Sequence, residues 1–97
     1  MIETYADAMS VVRAEIAPLW GDTRGTFYVS PNGYEDATSY FVPWGAREYL
    51  VDGDRSFVLL NGSATFVDKI TGFVEVTTYI AELDRIDAMK EITAVAS

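Results

Sequence analysis

The stretch Ala64-Thr65-Phe66-Val67-Asp68-Lys69-Ile70-Thr71-Gly72-Phe73-Val74 constrains this chain more than any other. It reads as a strand, a tight turn and a second strand. Phe66, Val67, Phe73, Val74 and Val76 carry aromatic or branched side chains that suit a pleated surface. Between the two runs, Lys69-Ile70-Thr71-Gly72 fits a type I turn closed by glycine at positive φ, the three-residue hairpin loop with a bulge. Gly72 stands there because a β-carbon would strain that backbone. The stretch specifies scaffold and contains no catalytic group.

The flanking sequence supplies the other elements. Thr4-Tyr5-Ala6-Asp7 opens a helix as a capping box. Tyr5, Ala8, Met9, Val12, Ile16 and Leu19 then recur every three or four residues as one apolar stripe. Pro18 disfavours helix at the residue before it, so the helix is expected over about residues 4–18. Strands are expected over about 26–30, 36–44, 56–60, 64–68 and 72–76. Pro31-Asn32-Gly33-Tyr34 reads as the clearest turn, because proline fixes φ and glycine accepts positive φ. In the strand over 36–44, Thr38, Tyr40 and Val42 share one face and Ala37, Ser39 and Phe41 the other. Pro43 belongs at its end or on an edge. Residues 45–51 fit a helical turn and a strand equally well. Tyr79, Ile80, Leu83, Ile86, Met89 and Ile92 form the inner stripe of a closing helix over about 78–92. The expected fold is therefore α+β: a single domain, residues 1–97, with an antiparallel sheet of about four strands. Both amphipathic helices, N-terminal and C-terminal, are expected on one sheet face.

Composition narrows the chemistry. Ninety-seven residues bury roughly two thirds of the unfolded surface, enough for one core without staples. The chain has neither cysteine nor histidine. Disulfides, thiolate metal sites, a cysteine nucleophile and the usual neutral-pH base are thereby excluded. No apolar run of about eighteen residues appears, so no membrane span is expected. The first residues carry no basic segment of a signal peptide, and a cytoplasmic location is expected. Fifteen acidic residues against seven basic give a net charge of −8. Such a surface repels nucleic acid and anionic lipid, and draws in a cationic protein patch. Plain solubility explains the same charge.

From Tyr40 onward the chain resembles the YrhB-like family, also called the immunity protein 35 family, of bacterial polymorphic-toxin systems. Four pieces carry the resemblance: Ala46-Arg47-Glu48-Tyr49-Leu50, Asp52-Gly53-Asp54, Leu60-Asn61-Gly62, and the hairpin Phe66-Val67-Asp68-Lys69-Ile70-Thr71-Gly72 followed by Tyr79-Ile80. The order Asn61-Gly62, Ala64 in place of proline and apolar Ile70 at a polar turn position depart from the family pattern. The resemblance implies a small cytoplasmic immunity protein, not an enzyme, that binds and neutralises a cognate toxin. No cofactor or metal is implied.

Each chemical constellation has a plainer reading. Asp22, Asp52 and Asp54 have oxygen ligands for a divalent cation, but no EF-hand glutamate follows at the required spacing. Solvated turn carboxylates explain them better. Glu35 and Asp36 are adjacent, so on a strand they point to opposite faces, and nothing brings Glu48 opposite either. The serines lack a nucleophile-elbow context, and Gly21 to Gly25 lack the lysine of a phosphate loop. Most of the aromatic residues serve packing. Trp44, beside Pro43 and Gly45, and Ile70, at the hairpin tip, are the candidate apolar anchors. The expected partner interface is Asp22, Glu35, Asp36, Trp44, Asp52, Asp54 and Ile70. The expected partner is a cognate toxin with a basic surface, bound by a monomer or homodimer, with no nucleic acid or membrane involved. The alternative is an acidic interaction module or nucleic-acid mimic, of phage origin for example, without enzymatic activity.

Overall fold

The computed structural model describes residues 2–21, 25–57 and 63–94. Helix α1 (Tyr5–Trp20) opens as the sequence predicts: the Thr4 hydroxyl accepts the Asp7 backbone N–H at 3.1 Å. Tyr5, Ala8, Val12 and Ile16 are buried along its inner face. Leu19 is not; it is 78% exposed. Past Pro18 the inward place is taken by Trp20, whose ring packs edge-on against Phe27 and Trp44. Its indole N–H donates to the Gly25 carbonyl.

The chain continues through β1 (Phe27–Val29), β2 (Asn32–Glu35), β3 (Ser39–Phe41), β4 (Trp44–Ala46) and α2 (Arg47–Leu50). A 3₁₀ turn (Arg55–Phe57), β5 (Ser63–Asp68) and β6 (Val74–Thr78) follow. A second 3₁₀ turn (Ile80–Glu82), α3 (Leu83–Asp87) and β7 (Lys90–Thr93) close it. The fold is α+β. Five antiparallel strands form one sheet in the order β6-β5-β3-β2-β7, and β1 and β4 form a separate pair.

Several expectations are corrected. Asn32-Gly33-Tyr34 is strand, not turn; the reversal lies at Asp36-Ala37-Thr38. The single strand over 36–44 is two strands in different sheets. Pro43, which has no N–H to donate, marks the crossing, and its carbonyl accepts from Ser30. Residues 45–51 contain both alternatives, the end of β4 and then α2. Of the strand expected over 56–60, residues 56 and 57 lie in a 3₁₀ turn and the remainder lies outside the described residues.

The helix expected over 78–92 is only α3, and the chain then extends as β7 along β2. A helix through Ile92 would hold it with Ile86 and Met89. The strand instead carries Ile92 round to the opposite face, where it packs on the α1-side core. It also pairs an edge of β2 that would otherwise be open.

Nor do the two helices share a face. Tyr40 pairs with Val67, and Phe41 with Phe66. Tyr40, Val42 and Val67 lie under α1 with Tyr5, Ala8, Val12 and Ile16. Phe41, Ala64 and Phe66 lie on the reverse face under Ile86 and Met89. On that reverse face the Arg85 guanidinium lies 3.9 Å above the Phe66 ring and donates to Ser39 Oγ at 3.1 Å. The alternation expected from Ser39 to Val42 is therefore right, but each face has its own cover.

α1 approaches the sheet closely at Gly33. A β-carbon there would stand 2.5 Å from both the Phe41 carbonyl oxygen and the Tyr5 hydroxyl. The Tyr5 hydroxyl donates to the Ser30 carbonyl at 2.8 Å, and burial pushes its phenol above the ordinary range, so it stays a donor. Gly33→Ala is expected to cost about 2–3 kcal/mol through overpacking, measured by urea denaturation. Adding Tyr5→Phe should not restore stability, because the backbone clash with Phe41 remains; full recovery in the double variant would contradict this account.

Candidate protein-interaction surface

The β5–β6 hairpin is braced by its own side chains. Asp68 N–H donates to the Phe73 carbonyl, and Gly72 N–H to the Asp68 carbonyl. The loop is thus 69–72, one residue longer than the expected three, with Gly72 at φ 74° as predicted. Asp68 Oδ1 accepts the Ile70 and Thr71 amides at 2.8 and 2.9 Å. Thr71 Oγ1 accepts the Phe73 amide. This network holds Ile70 at the tip, 73% exposed.

Two neighbouring segments share that end of the sheet. Lys69 N–H donates to the Thr38 carbonyl in the β2–β3 turn, and Ile2 N–H donates to the Lys69 carbonyl. Asp36 Oδ1 accepts from Thr38 N, Thr38 Oγ1 and Ser39 N, closing the turn. The Tyr40 hydroxyl donates to the Glu3 carbonyl at 3.4 Å. These contacts bring the residues before α1 and the β2–β3 turn up to the hairpin, where Asp68 lies next to Ile70. Lys69 is the base in the loop. Its Nζ lies 2.8 Å from Glu35 Oε1 and 4.7 Å from the Tyr40 ring centroid, so it is held against the sheet.

Partial burial pushes the Asp36 carboxyl up, but the hydrogen bonds from Thr38 and Ser39 and the Arg85 charge outweigh it and lower it below the usual range. The Thr71 amide, then that of Ile70, lowers Asp68. Both stay ionised at neutral pH.

The structure brings Glu35, Asp36 and Ile70 together and places the other expected interface residues elsewhere. Trp44 is half-buried beyond the opposite end of β3, packed with Trp20 and Phe27, and its indole N–H donates to Thr65 Oγ1 at 2.7 Å. Asp52 and Asp54 are exposed after α2. Asp54 Oδ1 accepts from Ser56 N and Oγ, the same Asp-x-Ser/Thr closure that Asp36 makes with Thr38. Asp22 lies outside the described residues. Sequence reading missed Glu3 and Asp68. Asp68 had a signal: an aspartate opening a turn, with threonine three residues on. Glu3 had none, because only the Ile2–Lys69 pairing brings it there.

Among the described residues, no group of three or more Asp and Glu side chains is placed to hold a metal ion. An open groove of about 540 Å³ runs beside the start of α1 between Glu3, Tyr5, Glu35, Tyr40 and Ile92. No described helix is long and apolar enough to cross a membrane. Compared with family models, with curated proteins and with solved structures, the chain finds no match.

The lowered carboxyls set a pH dependence. A carboxyl whose folded pKa is depressed contributes stability above its unfolded value and loses it as pH falls through the folded one. The amide proton resonances of Thr38, Ser39, Ile70 and Thr71 are therefore expected to hold steady down to about pH 4 and to shift below it. Asp68→Asn, which keeps the Oδ1 acceptor, should abolish the shift at Ile70 and Thr71. A midpoint above the ordinary aspartate value would contradict the turn assignment.

Proposed function

We propose that this chain is a protein-binding domain whose partner is a basic protein, and that it acts as an immunity protein that occludes a cognate toxin. The observation that carries the reading is Ile70, an exposed isoleucine held on a hydrogen-bonded tip by the Asp68 carboxylate, with the Asp36 turn joined to the same hairpin. An apolar side chain fixed in position loses little entropy when it enters a pocket. The carboxylates of Asp68 and of the nearby Asp36 turn would steer a basic surface toward it. The resemblance of residues 46–50, 52–54 and 66–72 to the immunity protein 35 family supports the toxin as the partner. In this mechanism Asp36 and Asp68 speed encounter, and Ile70 sets the rate of release.

The test is co-expression with any toxin domain that a neighbouring gene encodes, with growth as the readout and binding kinetics on the purified pair. The wild-type chain should restore growth. Ile70→Asp should weaken binding about 30-fold or more, the scale of a hot-spot residue worth about 2 kcal/mol. Asp36→Asn with Asp68→Asn, which preserves both turns, should slow association several-fold and flatten its salt dependence while leaving dissociation unchanged. Failure of the wild-type chain to neutralise the toxin defeats the immunity reading. Full neutralisation by a folded Ile70→Asp variant defeats the tip as the binding surface.

A further inference from the structure

We infer that the free edge of β6 pairs with β6 of a second copy of this chain, antiparallel and centred on Val76. Among the described residues nothing pairs with that edge, since β6 is the outermost strand of the five. Its ladder with β5 is unbroken from Ser63–Thr78 to Val67–Val74, with no bulge. It carries no proline, lysine or glycine, so the usual guards of an open edge are missing.

The backbone fixes which residues reach outward. Asp68 N–H donates to the Phe73 carbonyl, and Val42 N–H to the Thr65 carbonyl on the far side of β5. By the alternation of an antiparallel ladder, Phe73, Glu75 and Thr77 direct their amides and carbonyls toward β5. Val74, Val76 and Thr78 direct theirs to the open side. A two-fold axis at Val76 sets Val76 against Val76 and Val74 against Thr78, so every outward group finds a partner.

The same axis matches the side chains. Glu75 falls opposite Thr77, which keeps the two Glu75 carboxylates apart. Phe73, 68% exposed, shares the face of Glu75 at the end of the paired strand. Val76, 51% exposed, meets itself on the other face.

Charge selects the second copy over a basic partner. From Ile70 to Ala81 the only ionised side chain is Glu75, and Arg85 of the same chain pairs with it at 3.3 Å. A cationic protein finds little to grip on this edge. A second copy, repelled by a net charge of −8 elsewhere, meets a strip with almost none.

The test uses the absence of cysteine. Val76→Cys introduces the sole thiol at the axis, where the two Cα atoms of a hydrogen-bonded pair lie about 5.5 Å apart, within disulfide range. Thr78→Cys places its two thiols about 14 Å apart, out of reach. Sedimentation should show the wild-type chain with the mass of two copies at about 100 µM, a concentration chosen to favour weak association. On mild oxidation Val76→Cys should form a covalent dimer at least ten times faster than Thr78→Cys. Val76→Lys, folded by circular dichroism, should sediment as a monomer. A wild-type chain monomeric at that concentration overturns the proposal. So does equal cross-linking of the two cysteine variants, or a dimer that survives Val76→Lys. Toxin neutralisation plays no part in these measurements, so the two proposals fail independently.

Discussion

The fit of Tyr5 against Gly33 is the contact on which the arrangement of this domain depends. The ring of the first helical residue lies where a side chain on β2 would otherwise be, and its hydroxyl ties to the Ser30 carbonyl just before that strand. That single approach fixes the start of α1 over the sheet. The buried stripe Ala8, Val12 and Ile16 then follows by helical periodicity. It also holds the N-terminal residues near the hairpin, so that Ile2 can reach Lys69 and Glu3 can lie beside Tyr40. Glycine in this strand serves close packing rather than a reversal of the chain.

Much of the acidity works locally. Asp36, Asp54 and Asp68 each close a turn by accepting backbone amides, and Glu48 accepts the Thr26 amide through both oxygens, joining α2 to the segment before β1. The bonds they accept hold Asp36, Glu48 and Asp68 ionised. A negative surface and a rigid set of loops thus come from the same residues. The consequence for recognition is that Asp36 and Asp68 present their charge at fixed positions, with little freedom left to lose on binding.

The elements legible in the sequence were those with local causes. The Thr4 cap, the stripe through Ile16, the positive φ of Gly72 and the alternation through Tyr40, Phe41 and Val42 all rest on residues close in the chain. The elements misread were decided by distant ones. Pro31-Asn32-Gly33 has the composition of a turn, and only the Tyr5 ring, far away in sequence, explains Gly33 as strand. Ile92 keeps helical spacing with Ile86 and Met89, yet its amide-bearing backbone is claimed by the free edge of β2. Pro43 was legible as an interruption but not as the place where the chain changes sheets. At the candidate surface, Ile70 was legible because it breaks the polar grammar of its turn. Trp44 was not, because the partners that half-bury it, Trp20, Phe27 and Thr65, come from three other segments.

One hairpin carries both proposed surfaces, and its geometry lets them coexist. β5 is buried from Ala64 to Val67 and anchors the hairpin in both cores, which leaves the outer edge of β6 unpaired among the described residues and the loop exposed at its tip. Antiparallel pairing about Val76 sends the two tips in opposite directions. Phe73, where the loop begins, stands three positions from the axis, so the strands alone set the two loops at least about 20 Å apart. The screening length near physiological salt is about 8 Å, so two acidic ends at that separation barely repel each other. Nor does either tip block the other's approach to a partner. In the proposed pairing the carboxylate of Asp68 thus lies toward the ends of the assembly, and the strand whose one ionised residue is Glu75 lies between them. A chain with its carboxylates spread evenly along this hairpin would lose one surface or the other: acids on β6 would oppose pairing, and acids missing from the tip would leave Ile70 without a field to guide a partner to it.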